Sequence, residues 1–172
     1  MDKGRVYVLG ASRMMDLIDP AFFIGKTVIG CNFVYRKFPT TYTITRHAKV
    51  IKAWLDERPR TRLVAPEYST DLGGIYFGPI DIKLPDEVFW SRSIAGTAID
   101  YARYIGAKEI VIMGVDCTND YMEDYKPMPG DISTDIFNRT NKNQTNFIVD
   151  YIKLKYKIPI RWIKQSNLST VH

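Results

Sequence analysis

Cysteine, histidine and long apolar runs are all scarce in this chain of 172 residues. The only cysteines, Cys31 and Cys117, lack the paired spacing of a metal site or a disulfide framework, so we expect two reduced thiols and no metal site. No apolar run approaches the roughly 20 residues that a membrane span requires, and the first residues do not resemble a signal peptide. We therefore expect a cytoplasmic protein with no membrane span.

The charge balance of the chain is basic. A formal net charge of +5 favours an anionic partner such as a nucleotide, a phosphorylated lipid or a nucleic acid, and an anionic small molecule is the partner we expect first. A hydrophobic content of 45% is enough for a sizeable core, so a single domain over residues 1–172 is expected. Composition leaves the oligomeric state open.

The stretch Ser93–Asp116 gives the strongest structural signal. Ile94, Ala98 and Ala102 recur at helical spacing, and Gly106 follows them in the position of a helix cap. A nearly unbroken apolar run over residues 110–115 then predicts a strand that is covered on both faces. Asp116 ends that strand, where ligands gather in open α/β sheets, although an acid there can also simply cap a turn.

The rest of the chain alternates between strand and helix patterns. Strands are predicted over residues 5–10, 26–31, 41–45, 62–65 and 160–163, and helices over 14–18, 47–57 and 141–156. Glycines suggest a β-hairpin insertion near residues 70–85, and a long polar loop is expected over 118–140. The fold class is therefore α/β, a Rossmann-like domain with a mostly parallel sheet and helices on both faces.

The turn Gly10-Ala11-Ser12 lies between the first predicted strand and a short helix. Backbone N–H groups at such a helix start have no partner within the helix, so the turn is a candidate cradle for an anion.

Several blocks together resemble a known family. The glycine turn at Gly10, the pair Cys31-Asn32, the segment KEIVIMGVD and the helix ending in KYKI are similar to bacterial sialyltransferases of the Campylobacter lipooligosaccharide type. They also resemble the wider set of Rossmann-like motility accessory factors and archaeal pterin diphosphokinases. The resemblance implies a CMP-sugar as the nucleotide ligand, with Gly10 and Asn32 contacting the nucleotide.

Other family positions match in part. Ala11 and Ser12 stand where the family has Asn and Gly, and Ala95-Gly96 falls within its Thr-Ser-Gly turn, so the resemblance gives these positions a nucleotide-binding role. Asp116 matches the acid that ends the central strand. The resemblance implies catalytic roles for Asp116 and for Tyr121 and Tyr125 in the following loop, the tyrosines acting on the departing phosphate.

The family's catalytic histidine aligns with Thr140, which cannot serve as a general base. His47 is a candidate replacement, and its alternative is an ordinary histidine near a helix start. The carboxylates of Asp116, Asp120, Glu123 and Asp124 could act as bases or metal ligands, or form a solvated loop.

Three functions follow for this site. The first is a small glycosyltransferase in which Arg13, Arg92 and Arg139 neutralise the ligand's phosphates. The second is a nucleotide-binding or sequestering protein without catalysis. The third is a diphosphotransferase, the one alternative that needs Mg²⁺, held by Asp116 with Asp120 or Asp124.

Nucleic-acid binding is a separate possibility. Basic side chains alternate with aromatic ones near the C-terminus, a pattern that can contact phosphates and stack on bases but that also occurs on solvated helices. The residues are Lys153, Lys155, Lys157, Arg161 and Lys164, with Tyr151, Tyr156 and Trp162.

Overall fold

The computed structural model describes residues 4–67, 69–71, 74–76, 79–117, 120–123 and 135–166. The strands are β1 (Arg5–Leu9), β2 (Thr27–Cys31), β3 (Tyr42–Ile44), β4 (Arg62–Ala65), β5 (Ser69–Asp71), β6 (Gly74–Tyr76), β7 (Ile82–Lys83), β8 (Glu109–Met113) and β9 (Ile160–Ile163). The α-helices are α1 (Ala48–Glu57), α2 (Ile94–Tyr104) and α3 (Asp135–Tyr156). Short 3-10 helices cover Arg13–Leu17, Pro20–Phe23 and Asn32–Arg36.

Seven of these strands form one parallel sheet in the order β7-β4-β3-β2-β1-β8-β9. This arrangement confirms the predicted α/β, Rossmann-like class. From β1 the chain builds the sheet outwards in one direction as far as β7. It then crosses back through α2 to place β8 on the other side of β1. The direction of winding therefore reverses between β1 and β8, which is where ligands bind in sheets of this kind.

The central strands are buried on both faces, as the apolar run of residues 110–115 predicted. Ile110, Ile112 and Met113 in β8 have no exposed surface, and neither do Val8 and Leu9 in β1. A parallel strand between two covered faces needs apolar side chains in both directions, so strict alternation is lost.

The sheet has a hydrophobic core on each face. On one face, α2 and α3 pack through residues such as Ile99 and Ile152. On the other, the 3-10 helices contribute Met15, Phe23 and Val34. Short 3-10 helices therefore cover much of the second face in place of longer α-helices.

Most predicted elements are confirmed with small shifts at their ends. The turn after α2 has Gly106 at φ +87°, the left-handed conformation expected of a glycine helix cap. The predicted hairpin near residues 70–85 is present as the antiparallel pair β5 and β6. The sequence did not indicate β7, a two-residue strand that lies beyond this hairpin and pairs with β4 in the main sheet.

The start of the last helix was predicted wrongly. α3 begins at Asp135, six residues before the predicted position, so Arg139 and Thr140 lie within the helix. Residues 135–146 contain only two apolar side chains, the adjacent Ile136 and Phe137, so they lack the helical apolar repeat on which the prediction depended. Within the described residues, every helix is too short or too polar to cross a lipid bilayer.

Candidate ligand-binding edge of the sheet

The turns that follow β1 and β8 lie against each other at the point where the winding reverses. The N–H of Gly10 donates to the carbonyl of Met113 (2.8 Å), and that of Ser12 donates to the carbonyl of Gly114 (3.0 Å). A Cβ atom on Gly10 would lie 2.2 Å from the Gly114 carbonyl oxygen. Gly10 is thus required for the close approach of the two turns.

Residues 120–123 close over the same turn. The N–H of Arg13 donates to the carbonyl of Asp120, and the N–H of Met122 donates to the carbonyl of Ala11, both at 2.9 Å. Ser12 forms an isolated antiparallel bridge with Tyr121. The sequence predicted unpaired N–H groups here. This is wrong for Gly10, Ser12 and Arg13, because carbonyl oxygens at the end of β8 and in the loop after it accept their hydrogen bonds.

The start of α2 is held by hydroxyl groups. Ser93 is the N-cap residue; its Oγ accepts from the N–H of Gly96 and also from the hydroxyl of Thr145 in α3 (2.9 Å). Gly96 is buried, and a Cβ there would lie 3.0 Å from Ser91 Oγ. Close packing against Ser91 is therefore a structural reason for glycine at this position. Ala95 beside it is half-buried.

Asn32 lies at the carboxyl end of β2 in the left-handed conformation, with φ +54°. Its side-chain oxygen accepts a hydrogen bond from the hydroxyl of Thr45 (2.9 Å), and the same hydroxyl oxygen accepts from the N–H of His47 (3.1 Å). His47 is the N-cap residue of α1 but makes no side-chain cap. The structure thus joins Asn32 and His47 through one buried threonine, and fixes the backbone on either side of Arg46.

Arg46 is half-buried at this edge and forms no ion pair with any described carboxylate. Burial lowers its pKa, and the positive charge of Arg92 lowers it further. Arg92 is exposed immediately before the α2 cap, and its N–H donates to Gln144 Oε1 (2.8 Å). The positive charge of Arg92 thus acts on Arg46 across this edge.

The two cysteines lie at this edge, Cys31 as the last residue of β2 and Cys117 in the loop after β8. Cys31 is buried at the end of β2, and burial, with a smaller contribution from Cys117, raises the pKa of its thiol to about 12. Burial also raises the pKa of the half-buried Cys117. Both thiols are free, and neither has the lowered pKa of a reactive thiolate.

A cavity of about 470 Å³ opens beside the end of β8. Asp116 lines it together with Trp162, which lies in β9. Lys142 on α3 and Lys164 after β9 add two positive charges, and the remaining polar residues of the lining are Asn146, Gln165 and Ser166. The cavity combines one carboxylate, two ammonium groups and one indole ring, a set able to contact a ring system, a hydroxyl group and an anion.

The predicted site residues therefore fall into three groups. Gly10 to Arg13 and Tyr121 form the paired loops at the β1–β8 reversal. Asn32, His47, Arg92, Ala95 and Gly96 lie around the start of α2 and the ends of β2 and β3. Asp116 faces the cavity. Arg139 is exposed in the first turns of α3, and Tyr125 lies outside the described residues.

The carboxylates proposed to hold Mg²⁺ do not form a described cluster. Asp116 lines the cavity, while the Asp120 carboxylate lies 3.8 Å from the Arg13 guanidinium on the exposed surface. Asp124 lies outside the described residues. Among the residues that are described, no group of three or more potential metal ligands occurs.

Several residues of the basic C-terminal region have partners within the fold. Arg161 is paired with Glu109 (2.7 Å), and Lys155 lies over the rings of Tyr151 and Tyr156. Lys164 and Trp162 instead line the cavity at the carboxyl edge. The sequence indicated these two as nucleic-acid contacts, whereas their positions connect them with Asp116.

Sequence reasoning did not identify Lys142 and Asn146 as site residues. Their i, i+4 spacing would place them on one side of a helix, but the helix was predicted to begin only at Asn141, and nothing in the sequence indicates which side faces β9. Comparisons with protein-family models, with curated proteins and with solved structures found no match.

Proposed function

We propose that this protein binds a nucleotide or nucleotide-sugar in the cavity at the ends of β8 and β9. The cavity lining supports the proposal: two lysines, a tryptophan and an aspartate surround a volume of about 470 Å³. That volume is within the range of small-molecule sites, roughly 300–1,000 Å³. The cavity also opens at the carboxyl edge of a parallel sheet, next to the reversal between β1 and β8.

Each lining group has a role that its chemistry favours. The ammonium groups of Lys142 and Lys164 attract phosphate oxygens, and the indole of Trp162 offers an apolar surface for the base. The Asp116 carboxylate accepts hydrogen bonds from ribose or sugar hydroxyls. Together these contacts favour a ligand with an anionic end and a ring. A CMP-sugar is the first candidate because of the family resemblance.

Sugar transfer is the second step of the proposal, and the position of Asp116 favours it. Transfer to a hydroxyl group requires a base that takes the acceptor's proton. Thr140 cannot do so, whereas Asp116 is a carboxylate that faces the cavity. In this mechanism the acceptor oxygen attacks the anomeric carbon, its proton goes to Asp116, and the bond from the sugar to the phosphate breaks to release the nucleotide.

Calorimetry with CMP, CMP-sugars, UDP-sugars and GDP-sugars tests the binding step. We expect Lys142→Gln and Lys164→Gln each to weaken nucleotide binding by about tenfold, because each removes one charge–phosphate contact. Lys153→Gln is the matched control: it removes an exposed α3 lysine that is not part of the cavity lining. The proposal fails if no nucleotide binds at millimolar concentration, or if Lys153→Gln weakens binding as much as the cavity variants.

Release of nucleotide from a bound nucleotide-sugar in the presence of acceptor sugars tests the transfer step. If Asp116 is the base, Asp116→Asn should lower the rate by about 10²–10⁴-fold while the nucleotide still binds. A nucleotide-sugar that binds and is recovered unchanged would instead identify a sequestering protein, which was the alternative drawn from the sequence.

A further inference from the structure

We propose that the outer face of the layer formed by α2 and α3 is the interface through which two copies of this chain form a dimer. Exposed large apolar side chains concentrate on this face. Eight such side chains occur among the described residues, and six of them belong to α2, to α3 or to residues 86–92, which precede α2. We call these six the aromatic face: Phe89, Trp90, Tyr104, Phe147, Leu154 and Tyr156.

The α3 helix has an apolar stripe that the core of the domain does not use. Ile148 and Ile152 are fully buried and form the stripe that a surface helix needs to pack on its own sheet. Phe147, Tyr151 and Leu154 form a second stripe at i, i+4 and i+7 spacing. Phe147 is 59% exposed and Leu154 is 71% exposed. A second apolar stripe at helical spacing, outside the core, is typical of a helix that packs against another helix.

The segment 86–92 extends this apolar surface from α3 towards α2. The N–H of Phe89 donates to the buried carboxylate of Asp100 in α2 (2.6 Å), while its ring centroid lies 6.3 Å from that of Phe147 in α3. The row of rings continues along α3, with centroid distances of 6.4 Å from Phe147 to Tyr151 and 5.8 Å from Tyr151 to Tyr156. The rings therefore form one connected surface across both helices.

The area of the aromatic face approaches what a stable dimer requires. Tyr104 belongs to it because it follows Asp100, the residue that holds Phe89, by one turn of α2. About half of each of the six side chains is exposed, and a large apolar side chain has roughly 200 Å² of surface, so together they expose about 600 Å². Monomers rarely expose a larger apolar patch, and a stable interface buries about 800 Å² on each partner.

The charges around the aromatic face favour a second copy of this chain over a nucleic acid. A polyanion binds through available cations, yet Arg103 is paired with Asp100, and the Lys155 ammonium donates to the hydroxyl of Tyr151 (2.7 Å). The segment 86–92, α2 and residues 147–156 of α3 together carry equal numbers of carboxylates and cations, so two copies can face each other without net repulsion. They are Asp86, Glu87, Asp100 and Asp150 against Arg92, Arg103, Lys153 and Lys155.

The proposed interface leaves the cavity at the ends of β8 and β9 open. Lys142 and Asn146 line that cavity beside Trp162 of β9, whereas Phe147 contacts Phe89 on the side of α3 that faces α2. The two surfaces therefore lie on different sides of α3. Dimer formation neither requires nor blocks the cavity, so the interface is independent of the proposed nucleotide binding.

Analytical ultracentrifugation of the full chain between about 1 µM and about 100 µM tests the interface. We expect the native protein to sediment as a dimer at the higher concentrations and to dissociate on dilution. Leu154→Glu and Phe147→Glu should each raise the dissociation constant of the dimer about 100-fold or more, because each places an unpaired carboxylate of both copies in an apolar contact. Both side chains are more than half exposed, so both variants should retain the native circular dichroism at a concentration where the native protein is monomeric.

Leu17→Glu is the matched control. Leu17 is 63% exposed, but it belongs to a 3-10 helix that covers the opposite face of the sheet. This variant should dimerise as the native protein does. The proposal is overturned if the native protein stays monomeric at about 100 µM, if Leu17→Glu weakens the dimer as much as Leu154→Glu does, or if neither Phe147→Glu nor Leu154→Glu weakens it.

A fluorescent single-stranded oligonucleotide provides an arm that distinguishes a second copy from a nucleic acid. We expect its anisotropy to respond equally, or not at all, to the native protein and to Leu154→Glu. A monomeric native protein that binds the oligonucleotide, with binding lost in Leu154→Glu, would overturn the dimer and identify a nucleic acid as the partner of this face. Leu154→Glu should bind CMP with native affinity, so failure of the cavity proposal and failure of the interface are measured separately.

Discussion

At the scale of single residues, burial at the carboxyl edge changes the chemistry of side chains that the sequence presents as ordinary. Cys31 is the clearest case. Its thiol has an ordinary pKa of 9.0, which burial raises to about 12. The folded protein therefore keeps a proton that the unfolded chain releases at moderately alkaline pH.

The consequence is a predicted loss of stability in alkali. The stabilising effect of the Cys31 proton is complete below pH 9 and is lost as the pH rises towards 12, at about 1.4 kcal/mol per pH unit. Urea unfolding between about pH 8.5 and about pH 10.5 should show a shallower decline for Cys31→Ala than for the native protein. Cys117→Ala is the control: Cys117 is only half-buried, so its removal should change the slope less. Equal slopes in all three proteins would contradict the prediction.

Arg46 shows the opposite effect of burial at residue scale. Burial stabilises the protonated Cys31 thiol because the neutral form loses little hydration, whereas the guanidinium remains charged and loses more. The same edge of the sheet thus protects a neutral thiol and leaves a positive charge uncompensated.

At the scale of elements, the start of α2 is the junction that holds the candidate site together. Ser93 caps this helix and also accepts from Thr145, so α2 and α3 meet through one hydroxyl pair. Thr145 is fully buried, and its hydroxyl oxygen also lies 2.8 Å from the carbonyl oxygen of Asn141, so its one proton is shared between two acceptors. The relative placement of Arg92 on one side and Lys142 on the other depends on this junction.

We expect Ser93→Ala to lower the free energy of unfolding by about 1–2 kcal/mol, because the variant loses both the cap and the bond to Thr145. A double-mutant cycle with Thr145→Val should give a coupling energy of about 0.5–1 kcal/mol in chemical denaturation. The control cycle pairs Ser93→Ala with Thr41→Val, which removes a hydroxyl before β3 that bonds to β2. Additive effects in the first cycle would show that the 2.9 Å contact between the hydroxyls contributes nothing.

The elements also show where sequence patterns succeed and fail. The strands at 62–65 and 160–163 were predicted with the correct bounds, because each short run is bounded by a proline, Pro66 after the first and Pro159 before the second. β7 was not predicted because two residues give no measurable period. The first turns of α3 were not predicted because their only apolar residues, Ile136 and Phe137, are adjacent and give no helical period. Such segments become helical through the rest of the chain rather than through their own pattern.

At the scale of the whole molecule, the sheet is most stable at its centre. β1 pairs with both β2 and β8 and is covered on both faces, so opening it requires the whole core to separate. β7 pairs only through two residues at the end of the sheet. The candidate sites lie along the carboxyl edge between these extremes.

Hydrogen exchange measured by mass spectrometry should reproduce this gradient. Amides in Val6–Leu9 and Ile110–Met113 should exchange slowest, close to the rate of global unfolding, and those of Ile82–Lys83 much faster. The physical reason is that the central amides are bonded between buried strands, whereas β7 can separate from β4 alone. Equal protection of β7 and β1 would argue against this description of the sheet.

The sequence by itself determined the class of fold and most of its elements. Apolar runs without alternation specify strands buried on both faces, and Gly106 specifies a helix end, because these are local requirements of burial and backbone geometry. The sequence also indicated Asp116 as an acid at the end of the central strand, and the structure places it in the cavity lining.

Only the tertiary structure decided which residues lie near one another at the carboxyl edge. Asp116, Lys142 and Lys164 are distant in sequence but line one cavity. Arg46 and Arg92 are also distant in sequence, although the charge of Arg92 acts on Arg46. The spacing of these residues in the sequence does not predict either relationship. The tertiary structure also decided that the turn at Gly10 is closed by the loop after β8 rather than open to an anion. Proximity, and the loss of hydration that follows from it, arise from the packing of strands and helices distant in sequence, so no local pattern records them.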